Sequence, residues 1–172
     1  MAILSAFYPD EYRDSTFTLD YELLYKRGYR GIIYDIDNTL VPHGAPADKR
    51  AVCHFAKLRK MGYQFCLISN NKEPRVASFA RDIGDAFYVY DAHKPSRKAY
   101  LDAVEKMGLS RNQVFFVGDQ IFTDVYGARR AGIYSILVKP IHPKEEIQIV
   151  LKRYLEKIVL FFYKSHKNGK NS

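Results

Sequence analysis

The chain has 172 residues and a mass of 20.0 kDa, enough for one domain of ordinary size. Hydrophobic residues make up 47% and charged residues 27%, which excludes a disordered, collagen-like or fibrous chain. With 27 Lys and Arg against 19 Asp and Glu the net charge is +8, and no apolar run approaches the roughly 20 residues of a membrane-spanning helix.

Read along the chain, short apolar runs alternate with helical patterns. A strand over 31–35 runs straight into acidic residues. A helix over 46–61 follows, with Val52, Phe55, Ala56 and Leu58 on a partly apolar face and Gly62 as its stop. Next come a strand over 64–68 and a helix over 73–81, with Pro74 at an early position where proline is tolerated. A short strand over 86–89 precedes a helix over 96–107, stopped by Gly108. A strand over 114–117, a helix over 121–131 stopped by Gly132, and a strand over 134–138 complete the alternation. A last helix spans about 144–163, and a basic tail over 164–172 ends the chain. This order predicts a single α/β domain over 1–172, a doubly wound, Rossmann-like fold whose five-stranded parallel sheet carries helices on both faces. The first seven residues lack a positive n-region, and Cys53 and Cys66 make neither a disulfide framework nor a metal quartet. Both features point to a reducing, cytoplasmic setting.

In such sheets ligands bind beyond the carboxyl ends of the strands. There the sequence places Asp35-Ile36-Asp37-Asn38-Thr39, then Ser69-Asn70-Asn71, then His93-Lys94-Pro95-Ser96, then Gly118-Asp119-Gln120 with Asp124. Carboxylate oxygens suit a hard cation such as Mg²⁺, and lysine and serine suit phosphate oxygens. Any one of these fragments says little. Together, in this order and after apolar strands, they resemble motifs one to four of the haloacid dehalogenase superfamily of phosphohydrolases. The flanking Tyr8-Pro9-Asp10-Glu11-Tyr12, the run from Arg30 to Val41 and Ile68-Ser69-Asn70-Asn71 are similar to the YqeG family of type IIIA phosphatases. Relatives of that family include phosphatidylglycerophosphate phosphatases. The resemblance covers about residues 8–140.

The resemblance implies a role for each residue. Asp35 is the nucleophile that forms an aspartyl-phosphate, and Asp37 is the general acid and base. Asp35 and Asp119, with the backbone carbonyl of Asp37, hold Mg²⁺, and Asp124 is an additional or supporting ligand. Ser69, Asn70 and Lys94 bind the transferring phosphoryl group, and Thr39 orders the loop. Plainer roles stand beside these: Asp37 as a turn former, Asp124 as a helix cap, Asn71 and Gln120 as loop-ordering groups. His43 and His93 receive no role.

Asp37 and Ser69 are separated by 31 residues, and Ser69 and Lys94 by 24. Neither gap has room for the cap domain that usually covers the site in the superfamily. An open site suits a substrate that is large or presented on a surface. Ile147, Val150, Leu151, Tyr154, Leu155, Ile158, Phe161 and Phe162 fall on one helical stripe. From Lys139 onward there are eight Lys or Arg against three Glu. Such a basic amphipathic helix either lies on an anionic membrane surface, at the inner face of the membrane, or packs on the sheet. Nucleic acid is the weaker partner, because no zinc-finger spacing or clustered aromatic platform accompanies the charge.

The expectation is a capless, Mg²⁺-dependent phosphomonoester hydrolase, with phosphatidylglycerophosphate as substrate and phosphatidylglycerol as product. The rival readings are a phosphatase for a soluble sugar phosphate or nucleotide, and a low-turnover binding protein that keeps the fold.

Overall fold

The computed structural model describes residues 2–142 and 147–168, with side chains for 4–142 and 154–165. Six strands form one parallel sheet: β1 (Glu11–Arg13), β2 (Gly31–Tyr34), β3 (Gln64–Ile68), β4 (Phe87–Val89), β5 (Val114–Gly118) and β6 (Tyr134–Val138), in the order β1-β6-β5-β2-β3-β4. The expected count of five is corrected to six. Strand β1 has three residues and pairs only with β6, so its own sequence carries too little alternation to be read as a strand. Helices α1 (Ala2–Ser5), α2 (Tyr21–Lys26), α3 (Lys49–Lys60), α4 (Glu73–Asp82), α5 (Arg97–Lys106), α6 (Tyr126–Arg130) and α7 (Ile147–Asn168) complete the fold.

Alternation along the central strands divides the interior in two. Ile32, Tyr34, Phe65, Leu67, Phe115 and Val117 face α2, α3 and α4, where Tyr21, Leu24, Phe55, Leu58, Val76 and Phe79 meet them. Ile33, Cys66, Ile68, Val114 and Phe116 face α5 and α6, against Ala99, Tyr100, Ala103, Val104 and Ala128. Every residue of β2 is buried, as expected of a central parallel strand covered on both faces. The burial of these side chains, at about 25 cal/mol per Å² of apolar surface, fixes the strand ends against which the site is built.

Local chemistry sets the element boundaries. Helix α3 starts at Lys49 rather than 46, because the Asp48 carboxylate accepts the Ala51 amide at 2.7 Å and so caps the helix. Gly62 follows α3 at φ 94°, a left-handed conformation that glycine adopts without penalty. The helix expected over 121–131 begins as a π-helical turn (Ile121–Val125) and becomes α-helical only at Tyr126. The first five residues of the expected basic tail continue α7, while 143–146 and 169–172, where that helix and tail were also expected, lie outside the described residues.

From β2 to β3 the chain makes only a loop and α3, and from β3 to β4 only α4. Among the described residues nothing is inserted over the sheet as a cap. Moving from β2, the chain winds first toward β3 and β4, then crosses to β5 and β6. The winding reverses between β2 and β5, and the crevice there is where a ligand site is expected.

His54 of α3 lies among the rings of Phe17, Tyr21 and Tyr34, and its Nε2 is 3.2 Å from the Tyr34 hydroxyl. Burial, with Lys57 and Arg50 nearby, pushes its pKa down from 6.5 to about 4. The unfolded chain therefore takes up a proton that the folded chain refuses over this interval. Stability is expected to be fully present above pH 6.5 and to fall as pH drops toward 4. In His54→Gln that part of the acid loss disappears from urea unfolding midpoints measured across the interval.

Candidate active site

The carboxyl ends of β2 and β5 meet in the crevice. The Asp35 amide donates to the Val117 carbonyl at 3.0 Å, carrying the ladder one residue beyond β2. The chain then turns through Ile36 to Thr39, with Asn38 at φ 62°, a conformation that asparagine tolerates. Thr39 is buried, and its hydroxyl donates to Asp35 Oδ2 at 3.2 Å and reaches Asp119 Oδ1 at 3.5 Å. The turn thereby ties the two strand ends together.

Lys94 comes from the far side of β3, on the loop between β4 and α5. Only 6% of its side chain is exposed, and its ammonium lies 2.5 Å from Asp35 Oδ1 and 2.7 Å from Asp124 Oδ1. The other oxygen of Asp124 accepts the amides of Asp119 and Gln120 at 3.1 and 3.0 Å. Gly118 makes this possible, because a Cβ there would stand 2.5 Å from Asp124 Oδ2. Behind them the Tyr100 hydroxyl donates to the carbonyls of Thr123 and Asp124 at 2.8 and 3.2 Å.

Asp35, Asp119 and Asp124 thus offer carboxylate oxygens within 4.8 Å of one another, all buried. Burial raises the Asp35 pKa well above the usual carboxylate range; Lys94 opposes this, and the charges of Asp124 and Asp119 add to it. Burial works against the Lys94 charge too, but Asp124 and Asp35 outweigh it and hold its pKa above the ordinary lysine value. Three carboxylates and one ammonium leave a formal charge of −2. A hard divalent cation matches both that deficit and the all-oxygen donor set, so these residues fit Mg²⁺.

The Asp37 carboxyl stands apart from the cluster. Its Oδ1 accepts the Gly44 amide at 2.8 Å and Arg75 Nη2 at 3.2 Å, and its Oδ2 accepts the Asn71 side-chain amide at 2.6 Å. The ligand expected of Asp37 is its backbone carbonyl, and its carboxylate lies outside the cluster, which Asp124 joins. Ser69 is buried, and its hydroxyl accepts the Asn71 amide at 3.1 Å. Asn70 binds the Lys94 amide through its side-chain oxygen at 2.8 Å, which orders the loop that presents the lysine.

These groups enclose a cavity of about 160 Å³, lined by Asp35, Asp37, Ser69, Asn70, Asn71 and Lys94, with His43, Gln120 and Thr123 at its wall. It is smaller than the roughly 300 Å³ of a pocket that encloses a typical small-molecule ligand. His93 is exposed and is not among the lining residues. Arg75 is the functional neighbour that sequence reasoning misses. It reads as one more polar residue of α4, and nothing local marks its contact with a residue 38 positions away.

The sequence profile of the haloacid dehalogenase-like hydrolases matches residues 48–132. The chain is similar to the probable phosphatase YqeG of Bacillus subtilis, at 37% identity over 90% of each chain. It is also similar, at 27% identity over 81% of its length, to phosphatidylglycerophosphate phosphatase 1, chloroplastic/mitochondrial, of Arabidopsis thaliana, of which it spans 45%. Among solved structures, the fold is shared with 3-deoxy-D-manno-octulosonate 8-phosphate phosphatase of Moraxella catarrhalis, crystallised with a magnesium ion, a phosphate ion and a KDO molecule. The TM-score is 0.54 at 15% identity, over 72% of this chain and 76% of that one.

The charge deficit predicts that Mg²⁺ stabilises the fold. At a free concentration one hundred times its Kd the gain is about 2.7 kcal/mol, read as a rise in Tm of about 2–4 °C per kcal/mol for a chain of this length. In Asp119→Asn the rise is expected to shrink sharply, while the variant in EDTA melts no lower than wild type, because one repelling charge is gone. Thermal melts with and without Mg²⁺ check both.

Proposed function

The chain belongs to the haloacid dehalogenase-like hydrolases, as a member of the YqeG family of phosphatases, and on that footing we propose that it hydrolyses phosphatidylglycerophosphate through an aspartyl-phosphate on Asp35, with Mg²⁺ as its cofactor. The observation that carries the mechanism is the placing of two carboxyls with different partners on one small cavity. Asp35 lies against Lys94 and Thr39, and Asp37 lies across the cavity against Asn71 and Arg75.

An Asp35 oxygen attacks phosphorus and the bond to the leaving oxygen breaks, while Asp37 gives that oxygen its proton. A water then attacks the aspartyl-phosphate, Asp37 takes the water's proton, and phosphate leaves with Asp35 restored. Lys94 and Ser69 hold the phosphoryl oxygens, since phosphoryl transfer is chiefly a matter of positioning and charge neutralisation. Asp35, Asp119 and Asp124 are the residues that would hold Mg²⁺, which when bound would supply positive charge to offset that of a dianionic ester beside a carboxylate nucleophile.

The lipid assignment has two supports besides the plant relative. The cavity admits a phosphoryl group and little more, so the rest of the substrate stays outside. Helix α7 also supplies a surface suited to a bilayer. One side of it packs: Glu156 Oε1 accepts the Ile121 amide at 2.9 Å, Val159 and Leu160 join Leu4, Phe7, Tyr8 and Phe122, and Tyr163 meets Tyr8 with ring centroids 5.4 Å apart. The other side leaves Tyr154, Leu155, Ile158, Phe161 and Phe162 exposed, Phe161 by 67%. Lys157 borders that stripe, its ammonium 5.1 Å from the ring centroid of Tyr154. No helix among the described residues is long and apolar enough to cross a membrane, so the contact proposed is peripheral, at the cytoplasmic face.

Phosphate release from phosphatidylglycerophosphate in mixed micelles with Mg²⁺ tests the reaction beside a panel of soluble esters. Strong release from the lipid is expected, falling more than about a thousandfold in Asp35→Asn. Release from soluble esters alone would move the assignment to the sugar-phosphate or nucleotide reading. Co-sedimentation with phosphatidylglycerol vesicles, and less with phosphatidylcholine vesicles, is expected of the full chain. Changing Phe161 and Phe162 together to serine should weaken it at least about tenfold.

A further inference from the structure

The acid–base step needs a carboxyl whose position does not drift, and Asp37 sits on an irregular loop with no regular element of its own. The Gly44 amide holds its Oδ1 at 2.8 Å within the loop, and the start of α4 supplies the side-chain donors. Arg75 Nη2 donates both to Asp37 Oδ1 at 3.2 Å and to the Ala45 carbonyl at 2.5 Å, so one guanidinium clasps Asp37 and the loop that follows it. The Arg75 side chain is itself held, about three-quarters buried, with its Cζ 5.5 Å from the ring centroid of Phe79 one helical turn on. Its Nε is buried without a hydrogen-bond partner. An unpartnered buried donor is costly, and here it accompanies the two bonds that Nη2 makes to the loop. On the other Asp37 oxygen, the Asn71 amide at 2.6 Å completes the clasp. Both carboxyl oxygens are thus tied to the start of α4, and rotation about the Asp37 side chain is blocked from both sides.

We propose that Arg75, with Asn71, is a positioning residue: it holds the Asp37 carboxyl at the leaving-group side of the cavity so that its proton is delivered as the phosphorus–oxygen bond breaks. The proposal rests on the aspartyl-phosphate reading above. Arg75 is not among the residues that line the cavity, so its effect reaches the reaction through Asp37 and not through binding of the phosphoryl group.

The distinguishing readout is dependence on the leaving group. An alkoxide leaves only if it is protonated, whereas a nitrophenolate leaves without help. The value of kcat/KM reports the first step, formation of the aspartyl-phosphate. It should be measured with an aliphatic phosphate ester and with p-nitrophenyl phosphate for wild type, Arg75→Gln, Arg75→Lys, Asn71→Ser and Asp37→Asn, each checked for folding by circular dichroism. Arg75→Gln is expected to lose about tenfold or more on the aliphatic ester and about threefold or less on the aryl ester, with Arg75→Lys intermediate. Equal losses on both esters, with Asp37→Asn still discriminating between them, would overturn the positioning role alone. If Asp37→Asn itself fails to discriminate, it is the acid–base assignment that falls. Should Arg75→Gln not fold, the same comparison in Arg75→Lys and Asn71→Ser decides the matter.

Discussion

Three buried carboxylates crowded around one ammonium are the constraint on which the rest of the structure turns. Isolated carboxylates strongly resist burial, and Asp35, Asp119 and Asp124 are held together by a small set of specific donors. Lys94 joins Asp35 to Asp124, Thr39 joins Asp35 to Asp119, and two backbone amides occupy the second oxygen of Asp124. Gly118 keeps clear the space that the Asp124 carboxylate enters. The arrangement contributes little net stability of its own. The two apolar layers on either face of the sheet carry that burden, and they hold the strand ends rigid enough for distances of 2.5–3.5 Å to persist.

The parallel sheet is what lets distant residues converge. Asp35 and Asp119 are far apart in sequence, yet β2 and β5 are neighbours in register, with Tyr34 opposite Val117. Residues just past those positions therefore meet. Strand β3 brings Ser69 to the same edge, and the loop after β4 folds back to deliver Lys94, held there by Asn70. Each of the four motifs is a strand end, and the topology turns four strand ends into one cavity.

This explains why so much was legible in the chain alone. Buried parallel strands are short apolar runs, and a polar residue directly after such a run announces itself. Strands β3 and β6 have the bounds their apolar runs predict, and Ser69 stands directly after β3. The misses share a cause as well. Strand β1 exists because β6 has a free edge to pair with, and Glu11-Tyr12-Arg13 shows no apolar alternation of its own. Arg75 matters through a contact made by the tertiary fold. Helix α7 has an apolar stripe whose period says nothing about which side packs. The structure answers by burying Glu156 and Val159 and exposing Ile158 and Phe161. A glutamate serves as an anchor because its carboxylate accepts a loop amide, a pairing with no signature in hydropathy.

That anchoring bears on how the site is used. Ile121, whose amide Glu156 accepts, opens the turn that follows Asp119 and Gln120 and contains Thr123 and Asp124. The helix therefore rests on the turn that carries Asp124 and follows Asp119. A cavity of about 160 Å³ reads a phosphoryl group and cannot by itself tell one large ester from another. Discrimination has to come from surfaces outside it. Those on either side of it are the loop bearing His43, which lines the cavity, and α7, whose packed side reaches the turn after Asp119 through Glu156. Among the described residues no cap is inserted over the sheet, so on the proposed reading selection falls to whatever can approach both surfaces at once. On the lipid reading proposed above, a phosphate presented at the face of a bilayer meets that condition, whereas a small ester free in solution needs only the cavity.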